Sequence, residues 1–266
     1  MIVDGKVLVS AADDNTAVIW DVQTGKRLHI LEGHSRPVTC MLTLHQTQEY
    51  QSDEQSCPSI LLLTGSSDKI ICVWDIEDGL CLHTITEHNS SVKCLVSMEE
   101  EGVFFSGGQH LCVWDEQGNL LHKLERISEH SDIHTMLPIK NSRIVTASDK
   151  SSLVVYTVVR SSNVSGSLSN IHIEPFKKLS PHRESIRCLI SVADSMFASA
   201  SLDGAIVLWS TLSLSYTRQM NYTKNYEGPD HMFPYSVQHL LAVDQRYIFA
   251  SIGHGFFVYD AMSGNL

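Results

Sequence analysis

Residues 70–79, Ile-Ile-Cys-Val-Trp-Asp-Ile-Glu-Asp-Gly, decide how the chain is read. An apolar block runs into an indole, then a carboxylate, then a short acidic stretch closed by glycine. A block this short, rich in β-branched and aromatic residues, reads as a strand, with Asp78-Gly79 as its tight turn. The block recurs as Val-Ile-Trp-Asp-Val-Gln-Thr-Gly at Trp20 and Cys-Val-Trp-Asp-Glu-Gln-Gly at Trp114. Weaker copies stand at Tyr156, Trp209 and Tyr259. Trp74 and Trp114 lie 40 residues apart, and Trp114 and Tyr156 lie 42 apart. The longer steps contain insertions at 46–59, 160–175 and 221–234. A period near 40 is the mark of one supersecondary unit repeated along the chain.

Other residue types keep station around the aromatic. A histidine opens each unit, in Gly33-His34, Glu87-His88, Glu129-His130 and Pro181-His182. Asp14, Asp68 and Asp203 stand six residues before their tryptophans, and Ser10, Thr64 and Ser199 four residues earlier again. Short apolar blocks such as Thr-Cys-Met-Leu (39–42) and Ile-Leu-Leu-Leu (60–63) fill the intervals, so each unit reads as four short antiparallel strands. No stretch of ten or more residues carries helical spacing.

Together these offsets resemble the WD-repeat β-propeller family, in which Gly-His opens a repeat and Trp-Asp closes it. The expected fold is all-β, a propeller of about six four-stranded blades forming a single domain over 1–266. Its approximate blades are 1–32, 33–86, 87–128, 129–180, 181–221 and 222–266. The resemblance implies a hydrogen-bonded chain of His, hydroxyl, Asp and Trp inside a blade, and the complete set is His34, Thr64, Asp68 and Trp74. Burial gives that chain its sense, because an indole N–H and an imidazole need partners once water is gone. The third unit lacks the aspartate, the fourth has Lys150 at that offset, and the fifth has Ser210 after Trp209. Those blades are expected to rely more on apolar packing than on the polar chain.

The first unit is expected to begin at its second strand, Lys6–Ala11, and the sixth to offer three strands. Four whole blades and two partial ones make an incomplete ring the expectation, the chain being a fragment or shortened product. The rival is a complete six-bladed ring.

Composition narrows the chemistry. Of 266 residues 43% are hydrophobic and 18% charged, enough for a core and unlike a disordered chain. A net charge of −11 disfavours nucleic acid as the main partner. No apolar run reaches the ~20 residues of a membrane-spanning helix, so no direct membrane insertion is expected. The seven cysteines show no CxxC; Cys40, Cys72, Cys94, Cys112 and Cys188 sit in apolar runs as small hydrophobes, which suits a reducing cytoplasm. The spacing His130 to His134 would make a metal pair only on a helix, and none is expected there. Phosphate-loop, nucleophile-elbow and HExxH motifs are missing. The expectation is a non-enzyme without metal or cofactor, working through loops on a rigid scaffold. The insertion at 221–234, with Tyr222, Tyr226, Met232 and Phe233, is the candidate partner-contact loop, since such side chains are enriched at interface cores.

A narrower resemblance rests on Ser91-Val-Lys-Cys-Leu, Ser106-Gly-Gly, Leu111-Cys-Val-Trp-Asp, Leu120-Leu-His-Lys and Gly253-His-Gly-Phe-Phe-Val-Tyr259. These are similar to the branch of the family that serves as the WD-repeat subunit of a complex with two DENN-domain proteins. That resemblance implies a role in autophagy, lysosome recruitment and small-GTPase regulation. It implies DENN-domain subunits and a lysosomal membrane transporter as partners, and a cytoplasmic protein peripheral to the lysosomal membrane through one of them. A substrate-receptor propeller of a ubiquitin ligase fits the same repeats.

Overall fold

The computed structural model describes residues 1–46, 59–124, 131–161, 170–221 and 236–264. The chain divides into two compact units, Met1–Glu129 and His130–Leu266. Among the described residues unit one holds three antiparallel sheets, each ordered as a meander. The first is β1 (Ile2–Val3), β2 (Val7–Ala11), β3 (Ala17–Asp21) and β4 (Arg27–Leu31). The second is β5 (Val38–Gln46), β6 (Ser59–Ser66), β7 (Ile71–Asp75) and β8 (Cys81–Ile85). The third is β9 (Cys94–Met98), β10 (Val103–Gly107), β11 (Leu111–Asp115) and β12 (Leu120–Leu124).

Unit two repeats the plan. Its first sheet, the fourth of the chain, is β13 (Ile133–Ile139), β14 (Arg143–Ser148), β15 (Leu153–Ser161) and β16 (Asn170–Leu179). The fifth is β17 (Ile186–Ala193), β18 (Met196–Ser201), β19 (Ala205–Ser210) and β20 (Tyr216–Asn221). The sixth is β21 (Val237–Val243), β22 (Tyr247–Ile252) and β23 (Gly255–Asp260).

The first sheet corrects the strand count, for it has four strands and not three. β1 is only two residues long, pairing Ile2 with Leu8 and Val3 with Val7, too short for any periodicity to reveal. Asp4 and Gly5, at φ 47° and 65°, turn the chain back so tightly that Lys6 N bonds Val3 O at 3.1 Å. The insertion at 160–175 is in part an extension of the ladder, since β15 and β16 stay paired out to Ser161 and Asn170.

The carboxylate after the aromatic is a turn device. The side chains of Asp21, Asp75, Asp115 and Asp260 accept backbone amides from Thr24, Glu77, Gln117 and Met262 at 2.6, 2.7, 3.0 and 2.8 Å. Each such turn then places a glycine, Gly25, Gly79, Gly118 or Gly264, at positive φ. Asp supplies the local acceptor and Gly the left-handed residue, the division of labour that tight turns need. In all five four-stranded sheets the ladder between third and fourth strands shifts register beside the aromatic, as between Val73 and Trp74. A bulge there turns the strand just where its large side chain must bury.

Alternation gives every sheet two faces: an aromatic face bearing the residue at the Trp position, and an opposite face. Within a unit the sheets stack by one rule, opposite face of one against aromatic face of the next. Val9, Ile19 and Leu31 of the first sheet cover Leu62, Cys72 and Trp74 of the second. Leu61, Leu63, Ile71 and Val73 of the second then cover Leu95, Phe104 and Trp114 of the third. In unit two, Val145, Ala147 and Val155 cover Phe197, Val207 and Trp209, and beyond them Ala198, Ile206 and Leu208 cover Ile248, Ala250 and Tyr259.

Candidate functional site

The most organised polar group lies on the aromatic face of the second sheet. β6 carries Thr64 opposite Cys72 of β7, the turn after β6 brings Asp68 round, and the segment before β5 delivers His34. His34 Nδ1 lies 2.9 Å from Asp68 Oδ2, His34 Nε2 lies 2.7 Å from Thr64 Oγ1, and Trp74 Nε1 donates to the same Oγ1 at 2.8 Å. Asp68 also accepts the backbone amides of Ser35 and Ile70, each at 2.9 Å. Burial pushes the Asp68 carboxyl up, but those amides and the His34 ring outweigh it and hold the group below the usual carboxylate range.

One bonding pattern satisfies every group: indole N–H to Oγ1, threonine hydroxyl to Nε2, and Nδ1–H to the carboxylate. The order carboxylate, imidazole, hydroxyl is that of a nucleophilic triad. Here the hydroxyl is wholly buried, its proton directed to the imidazole and one lone pair taken by the indole, so no substrate reaches it. The arrangement fixes register and turn geometry.

The fifth sheet carries a second such group, which corrects the expectation that it relies on the polar chain less than the second sheet does. His182 Nε2 lies 2.8 Å from Ser199 Oγ, and Trp209 Nε1 donates to that oxygen at 3.0 Å. Asp203 accepts the amides of Arg183 and Ala205 at 2.8 and 2.9 Å, while its Oδ1 stands 3.5 Å from His182 Nδ1, close but longer than a good hydrogen bond. Burial raises the Asp203 carboxyl, yet His182 and the two amides bring it down to about 2. Ser210, the departure from Trp-Asp, sits in the turn and outside this group. The sequence signal was present, since Ser199 and Asp203 keep the offsets of Thr64 and Asp68.

The other sheets keep parts of the pattern. Trp114 Nε1 donates to Ser106 Oγ at 2.8 Å in the third, but with no aspartate His88 turns to its own loop, Nδ1 lying 2.7 Å from Ser90 O. Gly108 makes room for that loop: a Cβ there would stand 2.2 Å from Ser91 O and 3.0 Å from His88 Cε1. Burial depresses the His88 imidazole to about 4. In the first sheet Trp20 Nε1 reaches Ser10 Oγ at 2.8 Å, and Asp14 accepts the Thr16 amide. In the fourth, His134 lies 2.6 Å from Asp149, taking up the aspartate beside the expected offset, while His130 is outside the described residues. Phe104 on Trp114 and Phe197 on Trp209 stack across strands, centroids 6.1 Å apart.

The candidate contact residues Tyr222, Tyr226, Met232 and Phe233 lie outside the described residues. Among the described residues no group of three or more His, Cys, Asp or Glu is arranged to hold a metal ion, and no helix is long and apolar enough to cross a membrane. Cys72, Cys94 and Cys112 are buried and Cys40 and Cys188 half-buried; burial pushes the Cys40 and Cys188 thiols up to about 12 and Cys112 to about 11. Such thiols behave as apolar side chains rather than as nucleophiles.

Comparison with known proteins agrees with this architecture. WD repeat-containing protein 41 of Homo sapiens is 30% identical over 263 residues, 94% of this chain and 54% of the human protein. Its Mus musculus counterpart is 28% identical over 261 residues, with the same coverage. An uncharacterized WD repeat-containing protein of Schizosaccharomyces pombe is 30% identical over 200 residues, 72% of this chain and half of that protein. The chain thus spans about half the length of the curated relatives it matches. The family model of the WDR41 β-propeller matches residues 1–264, and with Trp, hydroxyl, His and Asp meeting inside its sheets the chain belongs to that family.

Proposed function

We infer that the protein is a non-catalytic WD-repeat interaction scaffold, serving as the WD-repeat subunit of a DENN-domain protein complex in autophagy, lysosome recruitment and small-GTPase regulation. The observation that carries this reading is the family match across residues 1–264, joined to the narrower motif resemblance at Ser91–Leu95 and Gly253–Tyr259. The sheets supply what a scaffold needs. Their histidines, hydroxyls and carboxylates are spent on one another in the interior, which leaves a stiff frame whose loops and outer strands meet partners. Attachment to the lysosomal membrane runs through a transporter protein, and the loop with Tyr222, Tyr226, Met232 and Phe233 is a contact element.

Affinity purification of the tagged chain from cells, read by mass spectrometry, tests this. Co-purification of the two DENN-domain proteins, reduced when Tyr222, Tyr226, Met232 and Phe233 are changed together to serine, is the expected result. Recovery of ubiquitin-ligase subunits in their place overturns the assignment in favour of a substrate receptor, and recovery of neither refutes the complex.

A further inference from the structure

Apolar packing joins the inner parts of neighbouring sheets, and a separate set of contacts joins their outer margins. In all five four-stranded sheets, the fourth-strand residue paired with the one just before the aromatic is basic. His29 pairs with Ile19, His83 with Val73, His122 with Val113, Lys177 with Val155 and Arg218 with Leu208. Ile19, Val73, Val155 and Leu208 belong to the faces that cover the next sheet, so His29, His83, Lys177 and Arg218 stand at the margins of those faces. Donor side chains at one fixed station, beside residues chosen for burial, point to a task in hydrogen bonding.

At each junction inside a unit that side chain meets the turn between the third and fourth strands of the following sheet. His29 Nε2 lies 2.8 Å from Glu77 O, and because a carbonyl only accepts, the ring nitrogen there carries the proton. The ring also lies on Gly79, where a Cβ would stand 2.7 Å from His29 Cγ. Lys177 Nζ donates to Leu214 O at 2.8 Å, and Leu214 holds the positive-φ position that glycine holds in the other turns. A Cβ on Gly118 would stand 3.1 Å from His83 Nε2, and one on Gly264 2.6 Å from Arg218 Cδ and Nη1. We propose that His29, His83, Lys177 and Arg218 are latches, each tying the turn of one sheet to the fourth strand of the sheet before it. The turn then moves only with that strand, and a partner meets it already ordered, which lowers the cost of binding. The coupling belongs to the fold and holds whichever partner the scaffold takes.

Amide hydrogen exchange, read residue by residue by nuclear magnetic resonance, tests this on two variants that keep side-chain bulk and lose the donor. His29→Phe changes a half-buried residue and Lys177→Met an exposed one, with near-ultraviolet circular dichroism confirming native packing in both. The probes are the turn amides of the following sheet: Gly79 N, bonded to Asp75 O at 3.0 Å, and Leu214 N, bonded to Ser210 O at 3.0 Å. His29→Phe is expected to speed exchange at Gly79 by about two- to ten-fold and to leave Gly25, in the turn of its own sheet, unchanged. Lys177→Met is expected to speed Leu214 by a similar factor and to leave Gly204, at the other end of the fifth sheet, unchanged. Unchanged exchange at Gly79 and Leu214, or an equal rise at Gly25 and Gly204, overturns the proposal.

Discussion

Replacing Thr64 by valine isolates what the buried hydroxyl contributes. Valine has nearly the same shape, so it packs where threonine packed, and the change is one oxygen for one methyl. That oxygen serves two partners, His34 Nε2 at 2.7 Å and Trp74 Nε1 at 2.8 Å. Trp74 is 2% exposed and the His34 side chain equally sealed, so water cannot replace it. A buried polar group left without its partner costs about 1–3 kcal/mol, and two are left here. The new methyl returns about 0.8 kcal/mol by its own burial. The net expectation is a loss of about 3 kcal/mol. Ser10→Ala is the internal control: Trp20 makes the same bond at 2.8 Å, but Ser10 is exposed and Trp20 only half-buried, so water takes the hydroxyl's place. That loss is expected within about 0.5 kcal/mol. Urea unfolding followed by far-ultraviolet circular dichroism measures both. Because the chain has two compact units, the transition is to be fitted only where it is single. Adding Trp74→Phe to Thr64→Val removes one of the orphaned groups, so the double variant should fall short of the summed single losses by about 1 kcal/mol. Equal losses for Thr64→Val and Ser10→Ala, or strict additivity in the double variant, would refute the claim that the hydroxyl holds the buried group together.

Acid should destabilise the protein in two windows. With its imidazole depressed to about 4, folded His88 stays neutral where the unfolded chain takes up a proton. Stability therefore falls as pH drops from about 6.5 to about 4, by up to about 3 kcal/mol, and His88→Gln should flatten that slope in pH-dependent urea unfolding. Asp203, held at about 2, contributes stability above the unfolded carboxylate range that is lost as pH falls from about 4 to 2. Asp203→Asn removes that loss, about 1 kcal/mol once solvent screening is allowed for, and an unchanged acid limb would contradict the assignment. Gly108→Ala forces a Cβ to 2.2 Å from Ser91 O, and a melting temperature equal to wild type would show that the loop yields freely. The expected loss is about 2 kcal/mol. Under native conditions iodoacetamide should modify exposed Cys81 well before Cys94 and Cys112, which are expected to react only on unfolding, as read by peptide mass mapping.

Sheets were legible wherever a residue's chemistry is tied to its station in the chain. Trp20, Trp74 and Trp114 mark third strands because a bulge stands beside each indole, and the following aspartate and glycine build the turn locally. β1 was missed because two paired residues leave no pattern. The fifth-sheet group is hidden for another reason: Ser210 after Trp209 breaks the Trp-Asp pattern, although Ser199 and Asp203 keep their spacing. His88 could not be read at all from its position. Histidine, hydroxyl and tryptophan are all present as in the second sheet, but the missing aspartate lets the ring turn toward Ser90, and only the structure shows where it goes.

The polar groups and the apolar stack act on different links of the same chain. Trp114 of the third sheet is fully buried although its sheet lacks the carboxylate and the histidine has turned away. Trp74 and Trp209, with their polar groups intact, are buried at 2 and 4% exposure. Burial of the aromatic therefore follows from the stacking of sheets, which needs only a matching apolar face. The histidine–hydroxyl–aspartate group adds fixation: Asp68 and Asp203 each hold two backbone amides of separate segments, the one before the first strand and the one after the second. A sheet that loses the group keeps its core and loosens at that loop junction. Variation in the third and fourth sheets is thus tolerated by the fold, and the loops there are freer to change than those pinned by Asp68 and Asp203.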